Sequence, residues 1–182
     1  MAAPLTVSFT AGLSGPWRID SVRPVVGEVL PIAVALSVSE GATAAEPGVW
    51  SLRGTISNLR YTTVAERTAL VARQEGLGRA PSTRAALIPI RKTQAWWDLA
   101  QDERREILEE RSRHIAIGLR YLPAVARRLH HSRDLGEPFD FLTWFEFAPA
   151  EADAFEELVA SLRATPEWAY VDREVDVRLS HD

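Results

Sequence analysis

Between residues 111 and 133 the chain reads RSRHIAIGLRYLPAVARRLHHSR, which holds three of its four histidines and six of its arginines. Imidazoles ligate metals and exchange protons near neutral pH, and guanidiniums hold anions with a charge they do not lose. Metal binding, anion binding and a merely solvated basic face are all open to such a stretch. The elements that carry these side chains must decide among them.

AVARRLHHSRD (124–134) alternates as a strand does. Val125, Arg127, Leu129 and His131 share one face, and Ala126, Arg128 and His130 the other. His130 and His131 therefore point apart and do not ligate one metal, and without a His-Glu-x-x-His motif a zinc site is not expected. Arg127 falls beside apolar residues, where a guanidinium needs a carboxylate or an anion. A buried ion pair and a fixed cation aimed at an anionic substrate both satisfy that need.

TQAWWDLAQDERREILEERSRH (93–114) has the spacing of an amphipathic helix, with Trp96, Leu99, Ala100 and Ile107 on one face, interrupted by Glu103. His114 lies seven residues past Ile107 and shares that face if the helix continues. Next to the apolar IAIGL it is either a satisfied structural histidine or an axial ligand. A haem ligand needs a partner for its second nitrogen and a wide apolar pocket. Trp96, Trp97, Trp144 and the inward apolar residues of the sheet offer material for one, though the same aromatics equally make a plain core.

The whole chain has 182 residues, 46% hydrophobic and 25% charged, which predicts one globular domain. A net charge of −4 argues against a general nucleic-acid binder. No run approaches the roughly 20 apolar residues of a membrane span, and MAAPLTVSFTAGLSGPW lacks the basic start of a secretory signal, so a cytoplasmic location is expected. Lys92 is the single lysine, cysteine is absent, and Met1 is the single methionine. That excludes disulfides and thiolate sites and removes the two most oxidisable side chains. Compositional drift and life beside a strong oxidant both account for it.

From residue 49 the pattern runs VWSLRGTIS (strand), TTVAERTALVARQEG (helix ending at Gly76), AALIPIRK (strand), the 93–114 helix, the 124–134 strand, FDFLTWFEFA (strand), a helix between Pro149 and Pro166, and AYVDREVDVRL (strand). Before it, LTVSF and WRIDSVRPVV read as strands and SEGATAAEPG as a loop. This order predicts an α+β fold with a ferredoxin-like antiparallel sheet covered by helices. FDFLTWFEF carries more apolar residues than one sheet face needs, which implies that its second face is also buried.

The block ALIPIRKTQAWWDLAQDERREILEERSRHIAIGLRYLPAVARRLHHSRDLGEPFDFLTWFEF resembles the chlorite dismutase family in its short-chain, dimeric form, and the resemblance extends from about Trp50 to Leu179. It implies a single domain over 1–182 in the family's α+β barrel, with a shortened first half (1–80) and a haem-binding second half (81–182). His114 matches the proximal haem ligand, Glu167 the carboxylate on its second nitrogen, and Lys92 the lysine tied to that carboxylate. Arg127 matches the distal arginine, and Gln74 resembles the glutamine that holds it. Asn58, Tyr61, Trp96 and Trp97 are similar to residues around the propionates and the haem edge.

The resemblance implies a homodimeric haem b enzyme that takes chlorite and other small anions and converts chlorite to chloride and dioxygen with O–O bond formation. Two alternatives share the scaffold: a coproheme decarboxylase, which lacks the distal arginine, and a non-catalytic haem carrier.

Overall fold

The computed structural model describes residues 5–41, 48–56, 63–73 and 76–182. In the strand Arg84–Lys92, Ala85 and Leu87 point to one side and Ala86, Ile88 and Ile90 to the other, and all five are buried. An alternating strand with two dry faces must separate two cores, and this one does.

The chain passes through β1 (Thr6–Gly12), β2 (Trp17–Val26), β3 (Ala35–Glu40), β4 (Trp50–Ile56), α1 (Val64–Arg73) and β5 (Arg84–Lys92). It continues through α2 (Gln94–Asp98), α3 (Gln101–Arg105), a wide π-helical turn (Glu106–Arg111), α4 (His114–Arg120), β6 (Ala126–His131), β7 (Phe141–Phe147), α5 (Ala152–Arg163) and β8 (Val171–Ser180). The strands close into a barrel in the order β1-β3-β2-β8-β5-β7-β6-β4, with antiparallel neighbours throughout. The expected α+β class and antiparallel sheet are both met.

Phe9, Leu36, Leu52, Leu87, Leu142, Trp144 and Val177 fill the barrel interior. The second core lies outside it, where α5 lays Phe155, Leu158 and Leu162 on Ile88, Phe145 and Val171. Phe155 is fully buried and stacks on Phe147 with ring centroids 4.5 Å apart. Truncating such a ring to alanine typically costs about 3–5 kcal/mol.

The surplus apolar residues of β7 are thereby explained: one face enters the barrel and the other meets α5 of the same chain. The buried second face expected for this strand exists, but the covering element is intramolecular, so it supplies no argument for a partner. In β8, Val175, Val177 and Leu179 enter the barrel. Its charged face is dry as well: Glu174 accepts from Arg163 at 2.7 Å, and Asp176 accepts from both Arg163 and Arg178.

The first half holds a strand that pattern reading missed. β3 (ALSVSE) pairs with β1 over six positions and with β2 over two. Of the expected 62–76 helix the structure describes Val64–Arg73, in which Val64 and Val71 are exposed. It starts at a reciprocal cap, in which Thr63 Oγ1 accepts from Glu66 N–H and Glu66 Oε2 from Thr63 N–H. Among the described residues no helix is long and apolar enough to cross a membrane.

Candidate active site

The expected single helix over 93–114 is broken, and each break helps to place His114. Thr93 caps α2, and Arg104 Nη2 then donates to the carbonyls of Trp97 and Leu99, satisfying the end of that short helix. The wide turn inserts extra backbone, with Ser112 N–H reaching the Ile107 carbonyl. Arg113 then adopts φ 53°, a left-handed conformation that stops any helix. His114 restarts it as the first residue of α4, where the buried Glu109 carboxylate accepts Ile115 N–H at 2.9 Å. His114 is thus the start of a helix, not the end of one.

His114 Nδ1 lies 2.7 Å from Glu167 Oε2, and Lys92 Nζ lies 2.7 Å from Glu167 Oε1. Glu167 sits in the short turn Pro166–Tyr170, between α5 and β8, and donates its backbone N–H to Ser112 Oγ at 3.0 Å. Burial alone would raise the carboxyl pKa, but the charges of His114 and Lys92 and their hydrogen bonds pull it down to about 2. Glu167 is therefore ionised at neutral pH and can only accept, so the imidazole carries its proton on Nδ1. The Nε2 lone pair is left free to bind a metal.

Lys92 is nearly dry at 3% side-chain exposure, and its ammonium is wrapped as well as paired. It lies over the Trp96 ring at 4.7 Å and near the Trp168 ring at 5.4 Å. Trp168 is fixed by its Nε1 bond of 2.7 Å to the fully buried Glu174. Asp140 accepts both Lys92 N–H and Trp97 Nε1–H, tying α2 to the end of β5.

Across from α4, β6 presents Arg127 on its outer face, and His114, Arg127, Ile88, Ile90, Thr143 and Phe145 line one cleft. Burial pulls the guanidinium pKa below its ordinary value, and the Glu109 charge opposes that shift. Arg127 meets α4 at Gly118, one turn past His114: a Cβ built on Gly118 would stand 2.2 Å from Nη1. The cleft is thus lined both by a carboxylate-backed imidazole and by a desolvated cation. An anion that binds a metal at His114 would meet that cation.

A chlorite dismutase family model matches residues 23–181 of this chain. The chain belongs to the chlorite dismutase family. Membership meets the family and enzyme-class expectations drawn from the sequence. A solved dimeric chlorite dismutase from Nitrobacter winogradskyi is 56% identical, with a TM-score of 0.91 over 97% of this chain and 99% of that one. A chlorite dismutase structure from Candidatus Nitrospira defluvii shares the fold, with a TM-score of 0.63 at 18% identity over 97% of this chain and 91% of that one. The curated chlorite dismutase of Ideonella dechloratans is 37% identical over 86 residues, 47% of this chain and 28% of that protein.

Of the residues that resemble this family's site, His114, Glu167 and Lys92 are bonded in series and Arg127 shares their cleft. Trp96 is buried against Lys92, and its Nε1 has no hydrogen-bond partner. Trp97 lies outside it, stacked on Phe141 and faced by Arg133 at 3.9 Å. Asn58, Tyr61 and Gln74 lie outside the described residues. Trp144, expected as pocket material, instead faces the barrel interior against Phe9 and Trp17. The inward sheet residues go with it, because the cleft is lined by the outward set.

Ser112, Asp140, Trp168, Glu174 and Glu109 were not anticipated as supports of a chlorite dismutase site. Trp168 had a signal, being adjacent to Glu167 in TPEW. The other four lie in segments whose local pattern reads as plain helix or strand, and only long-range contacts reveal them.

Proposed function

We propose that this chain binds haem b and converts chlorite to chloride and dioxygen with formation of the O–O bond. The observation that carries the reading is the series Lys92–Glu167–His114 ending in a cleft that Arg127 also lines. The donor set fits haem: an imidazole whose Nδ1 faces Glu167 would hold the iron through Nε2, and the buried, unpartnered Trp96 Nε1–H would suit a propionate oxygen. Bare Gly118 supplies the third part of the fit, since the atoms nearest its missing Cβ belong to the Arg127 guanidinium, the end of a side chain that can turn aside.

When bound, haem b supplies the redox chemistry of oxygen transfer; the protein supplies position and field. His114 would hold the iron through Nε2, and Glu167 holds the Nδ1 proton, which would make the imidazole a stronger donor. Lys92 keeps Glu167 ionised inside a dry site. Arg127 attracts chlorite and retains the chlorine-bearing anion in the cleft until chloride and dioxygen leave, with Gln74 proposed to orient it. The scarcity of thiols and thioethers supports life beside such an oxidant. We infer a homodimer, since the 56% identical relative is described as dimeric.

Oxygen release from chlorite by haem-loaded protein, measured beside Arg127→Ala, tests the reading. Release that falls or becomes short-lived in the variant supports it. A haem-loaded protein that releases no oxygen sinks it, and loss of carbon dioxide from coproheme with peroxide would then identify a decarboxylase.

A further inference from the structure

Gly118 is buried in the middle of α4 and has no positive φ, so backbone conformation does not require glycine there. Mid-helix glycine weakens a helix relative to alanine, which leaves the residue without a local justification. Its place supplies one. His114 and Gly118 are four residues apart and share a helix face. The space a Cβ would take is the space into which the Arg127 guanidinium reaches from β6, with built distances of 2.2, 2.5 and 2.6 Å to three of its atoms.

Resting on the haem reading above, we propose that Gly118 is a cofactor-positioning residue, kept bare so that a flat tetrapyrrole ligated by His114 lies directly against the α4 backbone. A macrocycle held by His114 would extend toward Arg127 on β6, because His114 and Arg127 both line one cleft. It therefore passes over Gly118, in the place the guanidinium reaches. The arginine is a long, flexible side chain that can turn aside; a backbone-anchored methyl group at 118 cannot.

A simpler role for Gly118 is room for the arginine alone, and the two roles separate in a double-variant cycle. The measurement is the rate of haem transfer to excess apo-globin from wild type, Gly118→Ala, Arg127→Ala and the double variant. Faster haem loss in Gly118→Ala, by roughly 10-fold or more, that persists in the Arg127→Ala background is the expected result. The displaced macrocycle should also shift the Soret band. The unfolding midpoint without haem should stay level or rise, because alanine favours the helix.

Relief of the defect by Arg127→Ala would assign Gly118 to the arginine and overturn the proposal, as would wild-type haem retention in Gly118→Ala. The parent reading fails separately, if wild type takes up no haem or His114→Ala retains it equally well.

Discussion

The imidazole of His114 and the carboxylate of Glu167 meet at 2.7 Å although 53 residues separate them in the chain. The contact needs two irregularities at once: the left-handed Arg113 that restarts the helix, and the short turn at Pro166–Tyr170 that presents Glu167. It sets the imidazole tautomer and leaves Nε2 as the atom proposed to ligate.

Replacing Glu167 by glutamine keeps the shape and removes the negative charge. The imidazole then donates less strongly, and haem affinity is expected to fall by about 10–100-fold. The ferric/ferrous potential should rise, since a weaker donor stabilises ferric iron less. Spectroelectrochemistry of the loaded variant reads the potential directly, and an unchanged value would remove Glu167 from the ligand's electronics.

Lys92→Met leaves Glu167 as a buried anion with one charged partner fewer. A loss of about 3–5 kcal/mol in folding stability is expected in haem-free protein, by denaturant unfolding. Adding Glu167→Leu should restore part of that loss, because the uncompensated charge is then gone. A double variant less stable than Lys92→Met would contradict this account.

His130 supplies a pH dependence remote from the cleft. It is 1% exposed inside the barrel, its Nδ1–H donates to the Leu142 carbonyl at 3.0 Å, and burial lowers its pKa from 6.5 to about 4. The unfolded chain binds the proton more readily, so the stabilisation is full above pH 6.5 and is lost as pH falls toward 4. The residue should account for about 3 kcal/mol of that decline. Unfolding midpoints of His130→Gln against pH should be flatter by that amount, and equal slopes would rule the residue out.

At lower pH the β8 face takes over. Burial acts to raise the Asp176 pKa, but its bonds to Arg178 and Arg163 hold it below the ordinary 3.8. Its stabilisation is therefore present above pH 3.8 and lost as pH falls below that. Arg163→Leu would strip the guanidinium from the fully buried Glu174 as well, with an expected loss of about 3–5 kcal/mol at pH 7. A loss under 1 kcal/mol would show that water replaces the guanidinium there.

Much of this arrangement was legible before any coordinates. The alternation of 124–134 correctly sends His130 and His131 to opposite faces, with His130 against Phe9 in the barrel and His131 against Phe141 outside it. Pro149 and Pro166 bracket α5 as expected. Strand and helix periods are local properties, so local letters carry them. β3 escaped because ALSVSE is short, with only Leu36 and Val38 as large apolar residues; its neighbours β1 and β2 define it by pairing.

The sequence by itself determined the residue types available, the two faces of each strand and, through its resemblance to a family, the set of site residues to expect. Only the tertiary structure decided which face is which. Trp144 went into the barrel and Phe145 toward the cleft because closure of the sheet makes one side an interior and leaves the other for helices to cover. The interruption of the 93–114 helix was also decided there: Glu109 and Arg104 each spend a side chain on a backbone group that a continuous helix would have satisfied itself, and Ser112 accepts the distant Glu167 N–H. Helix propensity per residue is worth a fraction of a kcal/mol, and a buried carboxylate paired with both a lysine and a histidine outweighs it.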